Sequence, residues 1–261
     1  MPLSLKTVGS FLLLVLLGSC KEQASAGSII EPLDLANGVT IATIDHDGSS
    51  WQVVTVDPSK SKPSFRLSDP SGKPLRDFST FEKAAQKANE TIVWMMNAGM
   101  YHKGGFPVGL CIVDGLEITP VNTSDGEGNF FLKPNGIFFL TKDGAQIIET
   151  NEWDPTIAPD VQGATQSGPL LVRQDILHPA IRPNSPNKLI RNGVGVRRDG
   201  HLCFAISITP VSFHEMAIFL RDQLNCSDAL YLDGTVSALY APGAGLRPEA
   251  SGLGPVIGLW Q

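Results

Sequence analysis

"LCFAISITPVSFHEMAIFLRDQLNCSDALYLDG", residues 202–234, is the stretch on which the fold turns. It reads as apolar strand, capped amphipathic helix, apolar strand. The helix, expected over 212–225, opens with Ser212-x-x-Glu215, a capping box in which side chains at both ends satisfy first-turn N–H groups. Phe213, Met216, Ala217, Leu220 and Leu224 recur at helical spacing, so this face should pack on a sheet as core. Strands 202–208 and 229–232 on either side have the spacing of a compact β-α-β unit. Parallel strands in one sheet end on the same edge, and ligands commonly sit outside such carboxyl ends. The second strand stops at Asp233, with Gly234 behind it. A turn explains the pair on local grounds, because Asp hydrogen-bonds its downstream backbone and glycine tolerates left-handed φ. An acid held at the tip of a rigid strand explains it functionally.

A second segment has the same order of features. "STFEKAAQKANE" (79–90) opens with Ser79-x-x-Glu82, again read as a capping box, and leads into "TIVWMMNAGMY" (91–101). That apolar strand ends at Asn97-Ala98-Gly99, so two analogous strand ends present Asn97 and Asp233. The rest is short β-runs with turn punctuation. "TIATID" (40–45) precedes "WQVVTVD" (51–57), and "VGLCIV" (108–113) turns at Asp114-Gly115. Residues 130–150 read as three strands joined by Pro134-Asn135-Gly136 and Asp143-Gly144, and 193–208 as a hairpin turning at Asp199-Gly200. The expectation is an α+β fold: one domain over 38–261, a mixed β-sheet core of many short strands and hairpins, and two main helices packed on it.

Composition narrows the function. The 261 residues are 42% apolar and 18% charged, enough for a sizeable core. A net charge of −6 excludes a general nucleic-acid binder, which needs clustered Lys and Arg. At the N-terminus, Lys6 precedes "FLLLVLL" (11–17), an apolar run too short to span a bilayer. "LGSC" (17–20) then resembles a bacterial lipobox. The expectation is a signal peptide over 1–19, a lipidated Cys20 and a tether over 20–37. The protein is expected at the periplasmic face of the envelope, on the outer membrane where there are two. Cys111, Cys203 and Cys226 show no metal spacing, and a Cys203–Cys226 bridge stays open. The five histidines have no ligand spacing, and GxGxxG, GxSxG and HExxH are absent. No cofactor is required by the sequence, and no obligate protein partner is evident.

Three further places hold chemistry. In "ATQSGPLLV" (164–172) the Gln166 amide can grip a sugar hydroxyl, or the segment is simply a turn before a strand. In "RNGVGVRRDG" (191–200) Arg191 precedes Gly193 and Gly195, which leave space on one strand face. A guanidinium there suits phosphate through two parallel hydrogen bonds, although a surface arginine is the plainer reading. "MNAGMYHKGGFPVG" (96–109) is a Gly-rich loop whose His102 is either a proton donor or an exposed loop histidine.

Taken in order, "NAGMY" (97–101), "PVGLCIVDG" (107–115), "FLKPNGIFF" (131–139), "QSGPLLV" (166–172), "RNGVGV" (191–196) and "ALYLDGTVSALYAP" (229–242) resemble the phosphodiester glycosidase family, most closely a bacterial envelope branch. The resemblance implies hydrolysis of a sugar-1-phosphodiester in a cell-envelope or extracellular glycoconjugate. It makes Asp233 and Arg191 catalytic and places Asn97, Gly99 and Gln166 in the site. Tyr101, His102, Ser167, Gly234 and Ser237 complete the expected substrate-binding set. Relatives often carry two glycines after the aspartate, whereas Thr235 follows Gly234 here. Glycoside cleavage passes through an oxocarbenium-like centre that a carboxylate stabilises. A phosphate leaving group needs less protonation than an alcohol and more cationic neutralisation, the role expected of Arg191. The same residues also suit a non-catalytic envelope lipoprotein that binds a glycan or glycolipid. Only an enzyme needs the Asp233 carboxylate for turnover.

Overall fold

The computed structural model describes residues 31–261 except 155, 157–159 and 235, so the expected leader and Cys20 lie outside the described residues. In chain order the strands begin with β1 (Leu33–Ala36), β2 (Val39–His46), β3 (Ser49–Val56) and β4 (Ser64–Arg66), followed by helix α1 (Phe78–Lys87) and β5 (Ile92–Asn97). Then come β6 (Cys111–Val113), β7 (Leu116–Thr119), β8 (Gly136–Thr141), β9 (Gly144–Glu149), β10 (Val161–Ser167), β11 (Leu170–Arg173) and β12 (Ile176–Leu177). The last part holds β13 (Asn192–Arg197), β14 (Leu202–Ser207), helix α2 (Phe213–Ile218), β15 (Cys226–Asp233), β16 (Leu239–Tyr240) and β17 (Val256–Trp260).

These strands form three sheets of a single domain. The largest runs β1-β2-β3-β14-β13-β15-β11-β12, the second β7-β6-β10-β8-β9, and the third β16-β5-β17-β4. β14 and β15 do run parallel in one sheet, as the β-α-β spacing implies, but β13 lies between them and pairs antiparallel with both. Every strand pairing among the described residues is antiparallel, which corrects the expected mixed core. The α+β reading holds only in that helices are few and sheets dominate.

One core fills the space between the sheets, with Trp94, Phe138, Phe204, Leu230 and Ile257 at its centre. A second lies on the other face of the large sheet, under α2, where Trp51 stacks on Phe219 at 4.2 Å. The large sheet is therefore buried on both faces. Its inner strands are near-continuous apolar runs for that reason.

The local signals met with mixed outcomes. Ser212 caps α2 and Glu215 completes the box. The chain then widens into a π-turn over Phe219–Gln223, which buries Phe219 beside the expected stripe. At α1 the cap is Asp77, boxed with Thr80, and not Ser79 with Glu82. The side chain of Asp77 accepts from Thr80 N at 2.8 Å, while Ser79 merely donates to Asp77. Of the three strands expected over 130–150, the first is a 3₁₀ turn at Asn129–Phe131. β1 uses residues assigned to the tether, so the fold begins before Gly38. Cys111, Cys203 and Cys226 are buried free thiols. The Cys226 side chain lies over Gly195, the register partner of Cys203, so the two thiols meet in a hydrogen bond and not a disulfide.

Candidate active site

Asp233 closes β15 opposite Asn192, the first residue of β13. Its carboxylate accepts from Gly234 N at 2.6 Å, and its own N–H donates to Asn192 Oδ1 at 3.1 Å. Asn192 Oδ1 also receives Asn97 Nδ2 at 3.3 Å and Ser237 Oγ at 3.2 Å, while Asn192 Nδ2 donates to Asn97 O at 2.9 Å. Asn97 Oδ1 in turn accepts from Ala238 N at 2.9 Å. The two strand ends therefore meet, joined by one fully buried amide. Asn97 is itself wholly buried, so it fastens the sheet of β5 to the sheet of β15 instead of reaching a ligand, contrary to expectation.

Ser167 and Gly99 also build the frame. Ser167 ends β10, is fully buried and donates to Leu232 O at 2.8 Å, fixing the end of β15. Gly99 N donates to Thr165 Oγ1 at 3.0 Å, and a Cβ there would stand 2.4 Å from that oxygen. Gln166 differs from expectation. Its Oε1 accepts from Leu110 N and Asn122 N at 3.0 and 2.9 Å, and its Nε2 donates to Asn122 O and Thr150 Oγ1 at 2.7 and 3.2 Å. All four hydrogen-bonding positions are occupied in a side chain 1% exposed, so Gln166 anchors the 108–122 segment and grips no sugar.

Arg191 is fully buried. Nε donates to Val211 O at 2.8 Å, Nη1 to the Tyr231 hydroxyl at 3.2 Å, and Nη2 to Asn187 O and Oδ1, both at 3.2 Å. The guanidinium lies 4.0 Å from the Phe213 ring centroid. Two parallel hydrogen bonds to phosphate are thus closed to it, because its fork already faces protein. The space at Gly193 and Gly195 is filled by Met216 and Cys226. None of these contacts is a carboxylate, and burial pulls the guanidinium below its usual range. Among the described residues Arg191 makes no ion pair, and its charge is met by four hydrogen bonds and the Phe213 ring.

Gly234, directly after the acid, packs against Tyr231 and beside Arg191. A Cβ at this position would lie 2.1 Å from the Tyr231 hydroxyl and 3.5 Å from Arg191 Nη1. Burial and the nearby Asp233 carboxylate push the Tyr231 phenol up to about 12, against the pull of Arg191. A second phenol feels the same carboxylate. Tyr101 is held by burial, then by Asp233, at about 12, while Arg76 opposes the shift. Arg76, Asn192 and Tyr231 were not singled out from sequence. Only Asn192 carried a signal there, as a polar residue between Arg191 and a strand of glycines. His102 is exposed in the turn closed by His102 N to Phe106 O at 2.8 Å and stands outside the cluster. Among the described residues, no group of three or more His, Cys, Asp or Glu could hold a metal ion.

Comparison with known proteins fits this geometry. The uncharacterized protein YigE of Escherichia coli (strain K12) is 36% identical over 151 residues, 58% of this chain and 59% of that protein's length. The zebrafish N-acetylglucosamine-1-phosphodiester alpha-N-acetylglucosaminidase catalytic domain, auto-inhibited by its pro-peptide, superposes with TM-score 0.59 at 18% identity. That match covers 91% of this chain and 84% of the zebrafish one. A hypothetical protein from Synechocystis shares the fold with TM-score 0.54 at 15% identity, over 91% of this chain and 64% of its own. The model of the phosphodiester glycosidase family matches residues 90–253, which span β5, the Asn192 junction, β15 and its Asp233 tip. This chain belongs to the phosphodiester glycosidase family.

Proposed function

We propose that this protein hydrolyses a sugar-1-phosphodiester, with Asp233 as the carboxylate acting at the anomeric carbon. One observation carries the reading: a carboxylate fixed at a strand tip stands by the Tyr231 phenol, which on its other side takes a hydrogen bond from the buried Arg191 guanidinium. Arg191 acts here through its field, not by contact. In a water-poor site that field favours both the ionised Asp233 and an anionic substrate. Asp233 stabilises positive charge at the sugar carbon and takes the proton of the attacking water. Ser237, whose hydroxyl reaches Asp233 O at 2.9 Å, holds the turn behind it.

The substrate belongs to a cell-envelope or extracellular glycoconjugate. N-acetylglucosamine is one sugar to test, because the zebrafish relative's name carries it. Export and lipidation at Cys20 follow from the Leu17-Gly18-Ser19-Cys20 junction. The test is a panel of methyl phosphodiesters of α- and β-hexose 1-phosphates, reading released sugar. Asp233→Asn keeps size and the acceptor for Gly234 N but cannot act as a base or anion. It should melt like wild type and turn over at least about 100-fold more slowly. Normal turnover by this variant would show that the acid lies elsewhere. Tight binding of the panel without cleavage by wild type would instead support a glycan-binding envelope lipoprotein.

A further inference from the structure

With the Arg191 fork closed, the direct contact to phosphate must come from another side of Asp233. Tyr101 lies four residues past Asn97, where Ala98 N is tied to Pro255 O at 2.8 Å and Val108 N to Met100 O at 3.0 Å. Its ring is clamped: a Cβ on Gly254 would stand 2.3 Å from the ring carbon Cγ. Its hydroxyl oxygen is buried and has no hydrogen-bond partner among the described residues, the Gly254 amide beside it being outside hydrogen-bond geometry. A buried hydroxyl without a partner forfeits about 1–3 kcal/mol, so such a group normally awaits one. Arg76 stands behind the ring, its Cζ 5.8 Å from the centroid. One arm of Arg76 is fixed, Nη2 donating to Gly252 O at 2.8 Å. The other, Nη1, is buried without a partner, packed under Gly105, where a Cβ could not fit.

Resting on the hydrolytic reading above, we propose that the Tyr101 hydroxyl donates a hydrogen bond to a non-bridging oxygen of the phosphate, which shares the charge released as the sugar–oxygen bond breaks, with Arg76 as the cation that positions and supports it. Water oxygen bonds to the anomeric carbon, and its proton passes to Asp233. The electron pair of the carbon–oxygen bond stays on the bridging oxygen, which departs in a phosphate monoester. Tyr101 keeps its proton throughout. A phenol is a far weaker acid than a phosphate monoester, so it stabilises the phosphate by hydrogen bonding and not by transfer. Arg76 offsets the charge that Asp233 and the substrate place around the phenol.

The experiment compares two leaving groups on one sugar. Tyr101→Phe, Arg76→Gln and Arg76→Lys are assayed with the methyl phosphodiester of N-acetylglucosamine 1-phosphate, or whichever panel diester wild type cleaves best, and with the glycosyl fluoride of the same sugar. Tyr101→Phe should lower kcat on the diester by about 100-fold, the usual loss for one donor to a developing anion. Its loss on the fluoride, whose small leaving group lies away from the phosphate contacts, should be at least tenfold smaller. Arg76→Gln should follow the same split more weakly, with partial recovery in Arg76→Lys. Equal losses on both substrates would assign Tyr101 a structural role and overturn the proposal, as would no loss on the diester. Absence of any cleavage by wild type would refute the hydrolytic reading separately. Calorimetric titration of the same diester then decides: affinity about tenfold weaker in Tyr101→Phe sustains the contact, and equal affinity or no wild-type binding ends it.

Discussion

Replacing Asn192 with alanine tests whether one amide joins the two halves of the site. Asn192 is fully buried and makes four side-chain hydrogen bonds, with Asp233 N, Asn97 Nδ2, Asn97 O and Ser237 Oγ. Ser237 keeps Asp233 O and Ile190 O within reach and loses little. Each buried polar group left without a partner costs about 1–3 kcal/mol. Three such groups, softened by partial relaxation and water entry, should lower stability by about 3–5 kcal/mol, at the high end for one substitution. Urea denaturation followed by tryptophan fluorescence reads this directly, since Trp94 lies on β5, the strand that ends at Asn97. The midpoint should fall with an unchanged slope. A loss below about 1 kcal/mol would refute the joint, because the strand ends would then be held by their sheets alone.

Other expectations are more local. Gly234→Ala drives a methyl to 2.1 Å from the hydroxyl of a fully buried Tyr231 braced edge-on by Phe213, so it should cost about 1–3 kcal/mol and break the Tyr231–Arg191 bond; native stability by urea melting would contradict this. His178 is held neutral by burial, its value lowered from the usual one, so its stabilisation is complete above the unfolded value near 6.5 and fades as pH falls through the folded one. Stability measured from pH 7 down to 5 should show this slope in wild type and less of it in His178→Gln. Cys20→Ser should leave the protein soluble or unprocessed on cell fractionation; membrane partitioning with unchanged mobility would rule out lipidation there.

What could be read from sequence was what neighbouring residues decide. Asp114-Gly115 and Asp199-Gly200 close hairpins as expected, because a tight turn is settled within a few residues. The Asn97 and Asp233 strand ends were legible for the same reason. At α1 the segment Asp77-Phe78-Ser79-Thr80 offers several capping residues, and only the packing of Phe78 and Phe81 selects Asp77. Phe130 and Phe131 look like strand residues, yet Asn135 Nδ2 donates to Phe130 O at 2.9 Å and holds that stretch as a turn. The insertion of β13 between β14 and β15 is a long-range pairing with no local mark. Arg191 shows the limit most clearly. Its type and position were visible, but its burial against Phe213 and Tyr231 depends on residues 22 and 40 positions away. Arg76 and Tyr101 likewise meet only in the folded chain.

β17 lies inside its sheet, between β5 and β4, and pairs Val256 with Asn97. On a ribosome, β5 therefore waits for its partner while about 160 further residues are made, roughly 8 to 30 s at ordinary elongation speeds. Through that interval Ile92, Val93, Trp94, Met95 and Met96 form an apolar strand without its neighbour, the kind of segment that seeds aggregation. The Asn97 arm of the site cannot mature gradually as the polypeptide grows. This sheet closes only after β17 is made, so its long-range contacts are among the last that the growing chain can form.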